Sequence, residues 1–354
     1  MSDEDNIVVS TAERIFFDLA DLQEVAHAQD DAWKAPLWRA LAEAGLPLAW
    51  VLEQHGGSGV SLIDGFAVLR AAGRSALAVP LAETMLAGWL LSQGGIVAPE
   101  GMMTVLPGGP RELIGLDAEG RLTGQARRIP FARDAAHFAV LAKSAAGVRI
   151  ALVDASLCRI DRFENLAGDA ADTVSVAGVQ PIAIATAPSE FDPNSLFLMG
   201  SAVRSQQISG ALEAMLELSV RYSTERVAFE RTISKYQAVQ HNLARLGGEV
   251  AAAVAAAASA ADALSADPRD TDGILLEVAS AKIRCGEAAD KGTSIAHQVH
   301  GAIGFTAEHV LHRLTLRALA WRDDFGSESY WSSELGWWIG RRGADELWPL
   351  IASR

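Results

Sequence analysis

The chain has 354 residues, more than one ordinary core holds at about 150 residues per domain, so two or three units are expected. Apolar residues make up 50% and charged residues 21%, which excludes a disordered or low-complexity chain. Forty-four acidic residues against 30 basic ones give a net charge of −14, and no Lys/Arg cluster of five or more occurs that could follow a phosphate backbone, so no nucleic-acid partner is expected.

Cys158 and Cys285 show no CxxC or Cys/His ligand spacing, which argues against a disulfide scaffold or structural zinc and fits a reducing compartment. The start, MSDEDNIVVS, is acidic and lacks the apolar run of a signal peptide, so a cytoplasmic protein is expected. No stretch reaches about 18 consecutive apolar residues, and no membrane span is expected.

In chain order, the first hundred residues read as helices. Ser10 and Glu13 make a capping box before a stripe of Ile15, Phe16, Leu19 and Leu22. Gly56-Gly57-Ser58-Gly59 forms a turn, and helical periodicity resumes from Leu62 to Ala72 and from Leu81 to Leu91. From Met102 to about Pro188 short β-rich runs take over, among them Met103–Leu106, Phe138–Leu141, Val148–Val153 and Thr173–Val176. Long helices return after Pro193; the Ala-rich run Glu249–Leu264 reads as a packed bundle core that ends at Asp267-Pro268-Arg269-Asp270. Trp321, Trp331, Trp337, Trp338 and Trp348 crowd the C-terminus, more apolar surface than a terminal helix hides alone, so an oligomer interface is expected there. The layout predicts an α+β multidomain protein: an N-terminal helical domain over 1–101, a small central β domain over 102–190 and a C-terminal, four-helix-bundle-like domain over 191–354.

Several chemistries lose their main support. Gly56-Gly57-Ser58-Gly59-Val60 misses the nucleophile elbow by its last position, and neither a P-loop nor a dinucleotide-binding glycine pattern occurs. His297, His300, His309 and His312 form two i,i+3 pairs without a completing carboxylate, with Gly301 and Gly304 breaking the helix between them, so no metal is expected. Two stretches remain. Arg226 and Phe229 would present a guanidinium and an aromatic face together near a helix end, suited to a phosphate beside a flat ring. His297–His309 places Gln298 beside two glycines that permit close backbone approach.

Together with the run from Glu53 to Ser61 and Pro80-Leu81-Ala82-Glu83-Thr84, the RxxFxxxIxxxQ pattern from Arg226 to Gln237 and the QVHGxxG pattern from Gln298 resemble the acyl-CoA dehydrogenase family of flavoproteins. The resemblance covers nearly the whole chain. It implies FAD, a CoA thioester substrate, and a tetramer in which one subunit's C-terminal domain completes its neighbour's FAD site. On that resemblance Arg226 meets the FAD pyrophosphate, Phe229 and Gln237 adjoin it, and Gln298, Gly301 and Ala302 form the loop against the ADP half. Glu230 stands where the family usually has Gly, and Ala302 where a second Gly is common.

The family's flavin-ring loop has its nearest counterpart in Met103–Pro110, with no matching polar side chain beyond Thr104. The catalytic carboxylate, which must take the substrate's α-proton, is absent from both family positions: one falls at Gly200 or Ser201, the other at Phe325. Asp323, Asp324 and Glu328 stand nearby, on a turn that otherwise reads as solvated. The expectation is therefore the non-catalytic, or β, subunit of an α2β2 acyl-CoA dehydrogenase acting on a bulky thioester such as a steroid side-chain intermediate. Its partner is a catalytic acyl-CoA dehydrogenase subunit. The alternatives are a self-sufficient homo-oligomer with a displaced base, and a flavin-free interaction protein on the same fold.

Overall fold

Asn6 opens the first helix, its side-chain oxygen accepting from the amides of Val8 at 3.2 Å and Val9 at 3.4 Å. This corrects the expected capping box: Ser10 lies inside the helix and its hydroxyl donates back to the Ile7 carbonyl. The computed structural model describes residues 6–352 apart from 29, 190, 193 and 267–269. The acidic first five residues, Pro193 and the Asp267-Pro268-Arg269 turn thus lie outside the described residues. The helices are α1 (Ile7–Leu19), α2 (Leu22–His27), α3 (Lys34–Glu43), α4 (Leu62–Arg74) and α5 (Leu81–Gln93). Leu22 therefore begins α2 instead of extending the stripe of α1.

Ten of the thirteen residues of α5 are buried, as expected of a helix held between other helices and a sheet. Its Thr84 hydroxyl donates to the Met103 carbonyl at 3.2 Å and accepts from the Met103 amide at 3.0 Å, joining helix to sheet. The strands are β1 (Met103–Leu106), β2 (Ile114–Leu116), β3 (Leu122–Pro130), β4 (His137–Ser144), β5 (Gly147–Asp154), β6 (Arg159–Asp161), β7 (Ala171–Val179) and β8 (Ala183–Thr186). They form one mixed sheet in the order β6-β7-β3-β2-β4-β5-β8, with β1 pairing parallel to β4. Strand β4 is apolar from Phe138 to Ala142 because both faces are covered there: Ala139 and Leu141 face the helices, while Phe138, Val140 and Ala142 fill the sheet's own core. Strand β3 carries Gln125, Arg127 and Arg128 on exposed positions and was not anticipated; only Leu122, Ala126, Ile129 and Pro130 are buried.

The rest is helical apart from a hairpin: α6 (Ser195–Glu225), β9 (Val227–Ala228), β10 (Arg231–Thr232), α7 (Gln237–Ala266), α8 (Thr271–His300), α9 (Leu311–Trp321), α10 (Glu328–Arg342) and α11 (Leu347–Ala352). Helix α6 crosses α4 closely enough that a Cβ on Gly73 would stand 2.1 Å from the Gln207 carbonyl oxygen, and one on Gly210 would stand 2.0 Å from that of Arg70. Arg70–Glu213 and Arg74–Glu217, each at 2.9 Å, flank the crossing. Ala253, Ala257 and Ala260 bury α7 against the bundle as their spacing predicts. By length and composition α7 is apolar enough to cross a membrane, with a window of mean hydropathy 1.3, but it packs along α6 and α8 as a bundle helix, as the sequence reading has it.

Candidate functional site

The antiparallel course of the bundle gathers the expected cofactor-contacting residues at one end. Helix α6 stops at Glu225, α7 begins at Gln237 and α8 finishes at His300. Tyr222 stacks on His300 at 4.6 Å between ring centroids, tying the ends of α6 and α8 together. Arg226 and Phe229 are not a helical i,i+3 pair, which corrects the sequence reading. Arg226 has left the helix, and Phe229 and Glu230 form the two-residue turn of a hairpin in which Ala228 pairs with Arg231. Both turn residues have positive φ, 51° and 66°, as this tight turn requires and as non-glycine residues resist. The Ile233 amide donates to the Arg226 carbonyl at 2.9 Å and closes the hairpin onto the bundle. Arg226, Gln237, Gln298, Gly301 and Ala302 are exposed, and Phe229 is 92% exposed.

Gly301 ends α8 with φ of 66°, and nothing lies within 4 Å of where its Cβ would be, so its backbone is open to a ligand. Beneath it the histidines pack against aromatic rings. His297 stacks on Phe305 at 4.2 Å and meets the Thr315 hydroxyl at 3.1 Å. His300 donates from Nδ1 to the Ala296 carbonyl at 2.8 Å, and its buried Nε2 has no partner among the described residues. Burial holds His297, His300 and His309 below the usual histidine range, so they are neutral at pH 7. Among the described residues no metal-binding group of three such side chains forms.

The second locus is where a catalytic carboxylate was sought. Gly200 and Phe325 are in contact: a Cβ on Gly200 would stand 2.4 Å from Cγ of the Phe325 ring. Phe325 is 3% exposed, has φ of 57°, and its carbonyl accepts from Ser201 Oγ at 3.1 Å and Trp331 Nε1 at 3.2 Å. Behind the ring lies a buried ionic cluster that sequence reasoning missed. Arg204 bonds Glu83 at 2.6 Å, Asp324 at 2.9 Å and Gln207 at 2.5 Å. Burial raises the carboxyls of Glu83 and Asp324. Burial also works against the Arg204 charge, but the two carboxylates more than offset it. Nearby, Lys282 donates to the carbonyls of Trp321, Arg322 and Gly326, and burial brings its ammonium down to about 8. The detectable signal was Arg204, a lone charge in the apolar and small-residue run of Leu196–Leu212.

The acidic turn is thus not simply solvated. Asp324 is committed to Arg204, and Glu328 bonds Arg322 at 2.7 Å, whereas Asp323 is exposed and 3.8 Å from Arg128. Thr104, the one polar side chain expected to serve a flavin ring, is fully buried in β1, and its hydroxyl has no partner among the described residues. A cleft of about 660 Å³ opens beside this loop, lined by Gly108, Arg111, Arg127, Arg128 and Tyr330 among others.

A family profile described as "Acyl-CoA dehydrogenase, C-terminal domain" matches residues 197–328. Acyl-CoA dehydrogenase IpdE2 of Mycolicibacterium smegmatis is 31% identical over 284 residues, 80% of this chain and 81% of the relative. IpdE2 of Mycobacterium tuberculosis is 28% identical over 295 residues, 83% of each. Among solved structures, the ChsE4-ChsE5 complex from Mycobacterium tuberculosis superposes with a TM-score of 0.83 at 23% identity, covering 95% of this chain and 97% of that one. A variant of the Tcur3481-Tcur3483 steroid ACAD superposes with a TM-score of 0.81 at 26% identity, covering 93% and 96%.

Proposed function

Since the chain belongs to the acyl-CoA dehydrogenase family of oxidoreductases acting on CH–CH bonds, we propose that it is the non-catalytic β subunit of an α2β2 dehydrogenase for a bulky, steroid-type CoA thioester. The observation that carries this reading is the contact between Gly200 and Phe325. The two positions sought for a base lie against each other, and neither bears an acid. An aromatic ring fills the space between them, and the Glu83–Arg204–Asp324 cluster occupies the interior behind it. Displacement of a base is costly, because proton abstraction needs heavy-atom distances of about 2.6–3.2 Å. Of the nearby acids, Asp324 and Glu328 are spent on arginines.

In this reading the bundle end is offered to the neighbouring catalytic subunit. The chain's residues fit one half of FAD. Arg226 forms no side-chain ion pair among the described residues and is free to meet a pyrophosphate; Phe229 presents its ring to solvent; Gly301 leaves room for a ligand against the backbone. Gln237, Gln298 and Ala302 complete that surface. FAD, when bound, accepts the hydride leaving the substrate's β-carbon, while the partner's carboxylate takes the α-proton. Support for the partner comes from the fold of the ChsE4-ChsE5 complex, and support for the thioester class from the steroid ACAD.

Flavin absorbance tests the proposal. The chain purified alone should carry little flavin and turn over no acyl-CoA, whereas co-expression with a catalytic homologue should yield a flavin-loaded, active complex. An isolated homo-oligomer with one FAD per chain and turnover of its own would establish the self-sufficient alternative. Absence of flavin from every complex would establish the flavin-free one.

A further inference from the structure

A second cleft, of about 710 Å³, lies at the opposite end of α6 from Arg226. Ser195 on its wall begins that helix, and at about 1.5 Å per residue the two ends are roughly 45 Å apart. Its floor is apolar and buried, made by Leu198, Met199, Ile274 and Trp331. Trp89 and Phe191 form one side, with ring centroids 5.9 Å apart and planes 39° from each other, and both are only half-buried. These flat faces meet no other aromatic ring among the described residues. Polar groups are confined to the rim, among them Gln93, Asn194, Glu334 and Arg341.

The wall contributed by α10 is fixed at both ends. Trp331 is held through its indole to the Phe325 carbonyl at 3.2 Å, and Trp338 donates to Asp272 at 2.8 Å. Asp272 also pairs with Arg342, so its charge is spent. The remaining charged lining residues are Asp192, Glu334 and Arg341, two negative against one positive. A carboxylate head would therefore meet an excess of negative charge, whereas a hydroxyl or carbonyl would find Gln93 and Asn194. Volume, aromatic walls and a buried apolar floor inside a polar rim are those of a small-molecule pocket.

We propose that this cleft binds a neutral, flat, largely hydrocarbon ligand bearing a hydroxyl or carbonyl at one end. The inference does not rest on the subunit reading, since none of the residues assigned there to the cofactor or to the base positions lines the cleft. Equilibrium dialysis of the full chain against cholesterol, with dodecanoate as the charged comparison, tests it. Cholesterol should bind saturably at one per chain, at least tenfold more tightly than dodecanoate. Leu275→Trp fills the half-buried wall and should abolish binding while leaving the melting temperature within a few degrees. Glu334→Lys, at the rim, should narrow the preference by raising dodecanoate affinity severalfold, a readout that survives if the filling variant fails to fold. Lack of saturable cholesterol binding, equal or tighter binding of dodecanoate, undiminished binding by a folded Leu275→Trp variant, or an unmoved preference in Glu334→Lys would each overturn the proposal.

Discussion

At the scale of single residues, two positions carry most of the functional weight. Arg226 stands exposed at the end of α6 without an ion pair among the described residues, so its removal costs the fold little. On the proposed reading, Arg226→Ala removes a charge-assisted contact worth about 1.5–3 kcal/mol to the pyrophosphate, a loss of roughly tenfold or more in FAD retention by the assembled complex. Flavin content measured beside the melting temperature separates the outcomes: a lower melting temperature with unchanged flavin assigns Arg226 a structural role. Gly200 behaves in the opposite way. A methyl group there meets the Phe325 ring at 2.4 Å, so Gly200→Ala should destabilise the chain by about 1–3 kcal/mol, the usual cost of overpacking. Denaturant unfolding checks this, and the cost should shrink in a Phe325→Leu background, whose smaller side chain can yield.

At the scale of elements, the end of α8 sets a pH dependence. Burial lowers the pKa of His297, His300 and His309, so the unfolded chain takes up protons that the folded chain refuses once pH falls below about 6.5. The contribution of these three groups is therefore fully present above that value and declines as pH falls through it. Melting temperatures between pH 7.5 and about 5 should fall, and His300→Phe, which keeps a ring against Tyr222 but cannot protonate, should flatten the slope. A slope unchanged in that variant would mean that His300 accepts its proton equally well in the folded chain. The crossing of α4 and α6 is equally specific. Because Gly73 and Gly210 let backbone carbonyls approach where a Cβ cannot stand, no rotamer adjustment relieves a larger residue at either position.

For the whole molecule, the exposed apolar groups indicate that the described surface is incomplete by itself. Phe229 and Phe305 are exposed at the bundle end, and Trp337 and Trp348 at the C-terminus are 69% and 75% exposed. With a catalytic homologue the chain should form a complex of 2:2 mass by light scattering, and the isolated chain should fail to give a well-behaved, flavin-loaded homotetramer. A stable homotetramer carrying one FAD per chain would sink the heteromeric proposal.

The sequence by itself determined the order of helical and β-rich segments, because periodicity and composition are local properties. It determined the residues gathered at the bundle end from Arg226 to Ala302, and the lack of a carboxylate at Gly200, Ser201 and Phe325. The resemblance to the acyl-CoA dehydrogenases was legible in the same motifs. Strands β2 and β6 escaped, since three residues give too little alternation to count. The hairpin at Phe229 escaped because Phe-Glu is a poor turn dipeptide, held there by the Ile233 amide on the Arg226 carbonyl and the Tyr236 hydroxyl on the Ala228 carbonyl instead of its own propensity. Only the tertiary structure decided that Ser201 and Phe325, 124 positions apart, are hydrogen-bonded, and that Glu83, Arg204 and Asp324 form one buried cluster. Such meetings depend on how α5, α6 and the loop before α10 pack together, and no local pattern encodes the pairing of charges from three separate elements.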